Sequence, residues 1–432
     1  MTGEQISALR PAFSAYLKPF RDDFVQERSV EHFDAFCLGL LGDLPRKSVE
    51  PIALACGTAV RTLQAFLTTS SWDHNASRDR FQRQIAEVVR EMPRDSLGVI
   101  GVIDETSAAK KGDKTPGVQR QYLGCVGKVD NGIVTVHIAV ATGSFRSLLD
   151  ADLFLPESWD NDRERCERAG IPDEIVHRSK WRIALEQLIR LHHNGHRFDW
   201  LTFDEGYGRA VPFLEILSSI GQNFVAEVPK NFAVRTSDSA MSQRADELLS
   251  ELAAKGGERF RLRRETQRDQ IWRARKQLVR VGERSLTLIV AINEATGEVK
   301  YFVANANDTS LSILLQVAFR RWTVEHLFRV AKQEVGLTHF EGRNYVGLMR
   351  HTIMCLLVLG FVSIQTDRLR GENPHLTMEQ VCRALNEICV ALTIRRRRVP
   401  RIAHVGEVIR YHQRRNAQAT RSHKKRRHKC II

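Results

Sequence analysis

Apolar positions recur at helical spacing through the first 94 residues. Phe33, Phe36, Cys37, Leu40 and Leu41 fall on one stripe, and Phe81, Ile85, Val88 and Val89 on another. Asp43-Leu44-Pro45 ends one helix, Ser48 with Pro51 in the following turn opens the next, and Pro93 closes the segment. The period then changes. Residues 97–103 form an apolar run that reads as a buried strand ending at Asp104. A polar, glycine-containing loop follows at 110–117. Residues 121–129 and 133–141 read as two strands turned at Asp130-Asn131-Gly132. Residues 152–173 read as loop, 181–193 as helix, 198–203 as a strand ending at Asp204, 213–220 as helix and 224–228 as strand. Further β-like runs lie at 277–281, 286–292 and 301–304. The spacing then predicts one long helix over 311–335, closed by Gly336. The apolar run at 353–364 is too short to span a bilayer and reads as a buried helix.

Strands and helices therefore alternate after a helical start, which predicts an α/β region, and the chain's length suggests two or three domains. Of the 432 residues, 43% are hydrophobic and 27% charged, enough to build packed cores. The eight cysteines form no CxxC pair, which argues against a zinc ribbon or disulfide scaffold and for reduced thiols. With no apolar signal core near Met1, a cytoplasmic protein is expected.

Charge separates the C-terminus from the rest. Residues 395–432 hold fourteen Lys and Arg against one acid, Glu407, while the preceding 394 residues hold 51 basic and 50 acidic side chains. A nearly neutral body with a basic arm suits a polyanion, because each neutralised phosphate releases counterions.

The candidate chemistry begins with Asp104 and Asp204, each expected at the C-terminal end of a strand, where ligands gather in an α/β sheet. Two such carboxylates and a third from a helix would form an oxygen cage for hard divalent cations. Two ions about 4 Å apart can activate water and stabilise a leaving phosphodiester oxygen. The third acid is expected at Glu325 on the 311–335 helix. There Arg321, Glu325 and Lys332 share a face at i, i+4 and i+11. Glu334 is a rival on another side of that helix.

This arrangement resembles the DDE transposases of bacterial insertion sequences, which carry an RNase H-like catalytic fold. In one branch a β-rich insertion separates the second Asp from the Glu, and the Glu helix carries Tyr-x-x-Arg-x-x-x-Glu-x-x-x-x-x-x-Lys. Arg321, Glu325 and Lys332 match that pattern, while Ala318 stands at the Tyr position with Phe319 beside it. Arg46-Lys47-Ser48-Val49-Glu50-Pro51, Ser71-Trp72-Asp73, Gly117-Val118-Gln119-Arg120-Gln121-Tyr122, Leu155-Pro156-Glu157-Ser158-Trp159 and Ala169-Gly170-Ile171-Pro172 also look like one subgroup.

The resemblance implies a helical DNA-binding domain over 1–94 and an RNase H-like domain over 95–350, with its insertion at about 222–308. A helical region over 351–394 and a basic tail over 395–432 would follow. It further implies that Asp104, Asp204 and Glu325 bind two Mg²⁺ or Mn²⁺ ions. Water would then cut the element's end, and the freed 3′-hydroxyl would attack the opposite strand or target DNA. Arg321 and Lys332 would hold phosphates, and the protein would work as a homodimer on paired inverted repeats.

Secondary candidates are Trp272, which would stack on a flipped base as an aromatic of this insertion does in hairpin-forming relatives, and Lys110 and Lys111, which could touch DNA backbone. Glu105 and Glu205 are candidates for supporting roles. His192, His193 and His196 are better explained by a helix end than by metal, and Cys382 with Cys389 by core packing. The rival functions are an RNase H-like DNA nuclease without strand transfer, a non-catalytic basic DNA-binding protein and, least favoured, a glycosidase using paired carboxylates.

Overall fold

The computed structural model describes residues 1–236, 241–248, 256–262 and 269–386, with Tyr411, Arg414, Gln418 and Arg421 beyond them. The basic tail and Cys389 thus fall almost wholly outside the described residues.

Five helices open the chain: α1 (Gly3–Leu17), α2 (Glu27–Leu41), α3 (Val49–Cys56), α4 (Val60–Thr68) and α5 (His74–Glu91). Their apolar stripes pack partly on one another, as where Gly39 of α2 lies against Ile52 of α3. They wrap a helix from the far end of the chain (Tyr345–Arg370), which is apolar on every side because it is buried on every side. This helix is long and apolar enough to cross a membrane, yet 94% of its most apolar window is covered by the protein. The rings of Phe13 and Tyr16 lie 4.8 and 5.3 Å from Phe361. The Tyr16 hydroxyl donates to Leu357 O at 2.9 Å. Gly360 has no side chain because Phe81 fills the place: a Cβ there would lie 2.5 Å from the ring.

The opposite flank of that helix packs on one large sheet. Its core strands are β1 (Ile100–Ala109), β2 (Gln119–Leu123), β3 (Lys128–Thr142), β4 (Phe145–Leu153), β5 (Trp200–Phe203) and β6 (Phe224–Val228). β4, β3 and β1 run antiparallel in that order, and β5 and β6 follow parallel to β1. This is the RNase H-like mixed sheet. β7 (Ala233–Val234) and β8 (Gln243–Arg244) form a small separate ribbon. The stretch expected as an insertion, about 222–308, thus begins with β6 of the core sheet; its later strands, β9 (Glu258–Leu262), β10 (Gln270–Val281), β11 (Arg284–Asn293) and β12 (Val299–Ala304), continue the main sheet. Beyond β6 the order is β12, β11, β10, β9, all antiparallel.

Four sequence expectations need correction. Asp104 is not past the end of its strand: β1 continues to Ala109 because it stays paired with β3, and only its pairing with β5 stops at Ile103. Asp130-Asn131-Gly132 is not a hairpin turn but lies inside β3; the turn falls at residues 124–127. Those residues serve close approach instead. A Cβ on Gly132 would sit 2.5 Å from Ala108 O, and the Asn131 amide donates to the carbonyls of Lys110 and Gly112 at 2.8 Å each. Residues 152–173 are not loop throughout. They include the end of β4 and two short helices, α6 (Glu157–Asp160) and α7 (Arg163–Arg168), around buried Trp159.

The 311–335 segment is not one regular helix either. After α8 (Lys180–His193), α9 (Glu205–Gly208) and α10 (Val211–Ser219), it forms α11 (Leu311–Arg320) and α12 (Trp322–Val330). These join at Arg321, whose backbone stays helical at φ −51° and ψ −38°. A π turn (Ala331–Val335) follows and closes on Gly336 at φ +84°. Such a widened turn moves the residues after it round the axis, and Lys332 lies within it. The long buried helix Tyr345–Arg370 is α13.

Candidate active site

Parallel pairing sets the site. Ile103 stands opposite Phe203, so the next residues, Asp104 and Asp204, emerge side by side where β1 and β5 part. Phe203 in turn pairs with Ala226, which brings Glu227 of β6 level with them. Three acids on three adjacent strands thus share one level of the sheet. The sequence did not mark Glu227, because nothing local distinguishes it inside the run Phe224–Val228; its place depends on a strand register between distant segments.

Asp104 is 14% exposed, and its carboxyl is pushed up to about 7. Burial is the main cause and the neighbouring charge of Asp204 the next, opposed by Arg321 and the Glu105 N–H. Asp204 caps α9, its Oδ1 accepting from Gly206 N at 3.0 Å. Behind both lies Tyr207, whose phenol is buried and has no hydrogen-bond partner among the described residues. Burial and then the charges of Glu105, Asp104 and Asp204 hold it well above the usual tyrosine range.

Arg321, also 14% exposed, reaches into this cluster from the α11–α12 junction. Its Nη1 lies 3.5 Å from Asp104 Oδ2 and 3.9 Å from Glu325 Oε1, so one nitrogen faces two of the acids. Its Nη2 lies 3.5 Å from Glu227 Oε2. Glu325 is 63% exposed and meets Arg321 rather than the aspartates. Lys332 is half-buried, with Nζ 5.7 Å from the Phe328 ring. Burial lowers its ammonium, against the pull of Cys125 and Asp104.

The other candidates are placed differently. Lys110 is turned into the protein: its Nζ donates to Phe340 O at 2.6 Å and Thr338 O at 3.2 Å, and burial brings its ammonium down to about 8. Lys111 is exposed. Trp272 is unavailable to a base, being fully buried against Phe319 at 5.0 Å and Trp322 at 6.2 Å. Glu105 pairs with Lys180 at 2.6 Å, and exposed Glu205 with Arg209 at 3.7 Å. His196 is buried with Nε2 2.8 Å from Gln82 O, while His192 and His193 are exposed at the end of α8. The Glu334 carbonyl accepts from Lys47 Nζ. Cys382 is buried.

Among the described residues, no three of His, Cys, Asp and Glu stand close enough to hold one metal ion. The donor chemistry nonetheless fits a hard cation: Asp104 and Asp204 are neighbouring oxygen donors, burial and then the charge of Asp204 raise the Asp104 carboxyl, and the guanidinium already standing between Asp104 and Glu325 supplies positive charge there. Beside Glu325 opens a cleft of about 930 Å³, whose lining includes Arg146, Arg259, Arg261, Arg320, Arg329 and Arg370.

A family model described as "DDE superfamily endonuclease" matches residues 19–277. The chain belongs to the DDE superfamily endonucleases. The matched stretch includes Asp104 and Asp204 and stops before Arg321 and Glu325. The chain is also 32% identical over 222 residues to a probable transposase for insertion sequence element IS701 of Microchaete diplosiphon. That similarity covers 51% of this DDE protein and 54% of the relative, so the chain spans about half the length of the curated relative it matches. Among solved structures, the NurA nuclease of Sulfolobus solfataricus aligns over 56% of this chain and 80% of its own, at 10% identity. The TM-score of 0.26 is too low for that likeness to bear on the fold.

Proposed function

We propose that this DDE protein is the transposase of an insertion sequence, acting in the cytoplasm on double-stranded DNA to cut element ends and join them to a target. The observation that carries this reading is the side-by-side emergence of Asp104 and Asp204, with Arg321 spanning from Asp104 to Glu325. Kinship to the IS701 protein supports the same reading.

In this reading Asp104, Asp204 and Glu325 hold the divalent cations, Mg²⁺ or Mn²⁺. Bound there, such ions lower the pKa of water and stabilise charge on phosphoryl oxygens. The protein's own groups do the rest. Arg321 offers a planar fork to a phosphate, and Lys332 a point charge on the same side. The arginine-lined cleft receives the strand that leads to Glu325. The N-terminal helices recognise the element's end, the basic tail adds affinity independent of sequence, and two copies act on paired ends.

The test is incubation of the full chain with Mg²⁺, labelled duplex from the DNA bordering the gene and a circular target plasmid. Label covalently joined to plasmid supports the proposal. Cleavage without joined product would instead mark a nuclease, and binding without cleavage a DNA-binding protein.

A further inference from the structure

We propose that Glu227 is a positioning residue: it holds one end of the Arg321 guanidinium and so governs how readily the other end leaves Asp104 for a divalent cation. This rests on the metal-binding reading of Asp104 above and extends it to an acid that no part of that reading uses.

Glu227 is rigidly placed. Its strand is paired on both sides, to β5 and to β12. Its carbonyl abuts Gly208 of α9, where a Cβ would come within 1.9 Å of the oxygen, so only glycine lets α9 lie so close. Its carboxylate is 15% exposed and shared between two cations. Lys300 Nζ lies 2.5 Å from Oε1, and Arg321 Nη2 3.5 Å from Oε2. Lys300 is itself 15% exposed.

Arg321 is therefore contested. Nη1 serves Asp104 and Glu325 while Nη2 serves Glu227. A divalent cation arriving at Asp104 would stand beside Nη1, and two positive charges cannot both sit there unscreened in a half-buried site. The planar fork allows a simple exchange in which Nη1 gives up Asp104 while Nη2 stays on Glu227. Glu227 keeps the arginine in place for a phosphate once the cation has taken its place at Asp104. Lys300 sets the strength of that hold, because it draws on the same carboxylate.

The chemistry fixes opposite signs for two substitutions. In Glu227→Gln, Arg321 has only Asp104 and Glu325, competes harder with the cation, and Mn²⁺ binding to the DNA-free full chain weakens about threefold to tenfold. In Lys300→Gln, Glu227 is left to Arg321 alone, and Mn²⁺ binding tightens by a similar factor. Free Mn²⁺ is read by electron paramagnetic resonance, without reference to activity. In an Arg321→Gln background both changes fall silent, because their intermediary is gone.

The inference is overturned if Glu227→Gln weakens Mn²⁺ binding as much with Arg321 absent as present, which would make Glu227 a direct contributor. It is equally overturned if neither substitution shifts binding in the otherwise unchanged chain. Should Glu227→Gln fail to fold, Lys300→Gln decides, since unchanged or weaker Mn²⁺ binding would sink the idea. An unmodified chain that binds no Mn²⁺ would overturn the metal reading itself and this inference with it, whereas normal Mn²⁺ binding with insensitive variants would overturn this inference alone.

Discussion

At the scale of single residues, burial decides which side chains can do chemistry and which hold the frame. Asp104 was legible in the sequence because an apolar strand reaches an acid there. Glu227 was not, since its neighbours are ordinary strand residues and its significance arises from alignment with a strand two helices away. Lys110 misled for a related reason. A lysine in a polar loop looks solvated, and only the fold brings the carbonyls of Thr338 and Phe340 to it. Buried histidines add a testable pH dependence. His351 and His196 are both lowered to about 4, chiefly by burial, and His351 keeps Nε2 3.0 Å from Gly336 O, at the end of the π turn that carries Lys332. Groups with depressed native pKa give stability that is complete above the unfolded value of 6.5 and lost as pH falls toward 4. Denaturant unfolding of His351→Gln should show a shallower fall of stability over that window, by up to about 1.4 kcal/mol per pH unit. An unchanged slope would mean His351 is not held neutral in the fold.

At the scale of elements, period and length in the sequence located most of the helices and five of the six core strands, because those signals are local. It missed β4 (Phe145–Leu153), which no reading covered, the short helices α6 and α7, and the joints. The break at Arg321 and the π turn at Ala331–Val335 do not interrupt the apolar stripe, so no periodicity could reveal them. In the insertion, Trp272 alternates with arginines and so resembles a surface aromatic, but its face of β10 is covered by α11 and α12 through Phe319 and Trp322. Trp272→Ala should therefore destabilise the protein by about 3–5 kcal/mol in denaturant unfolding, as expected for a buried aromatic. A loss below about 1 kcal/mol would restore Trp272 as an accessible ring.

At the scale of the whole molecule, composition and charge separated a nearly neutral body from a basic arm, but they could not show how the body is joined. The N-terminal helices and α13 share a single hydrophobic core, with Phe13, Tyr16 and Phe81 seated on Phe361 and Gly360. A fragment beginning at residue 95 should bare that surface, bind a hydrophobic dye and unfold without cooperativity; a sharp two-state transition would show that the two parts fold independently. The claim on which everything else depends is that acids from two strands and a helix act together on DNA. The most direct measurement compares Mg²⁺-dependent cleavage of labelled duplex from the DNA bordering the gene by the unmodified chain and by Asp104→Asn, Asp204→Asn and Glu325→Gln. Each substitution should lower cleavage at least a thousandfold, roughly 4 kcal/mol of transition-state stabilisation, while leaving duplex binding in gel-shift intact. Cleavage by Glu325→Gln at the unmodified rate would contradict the account.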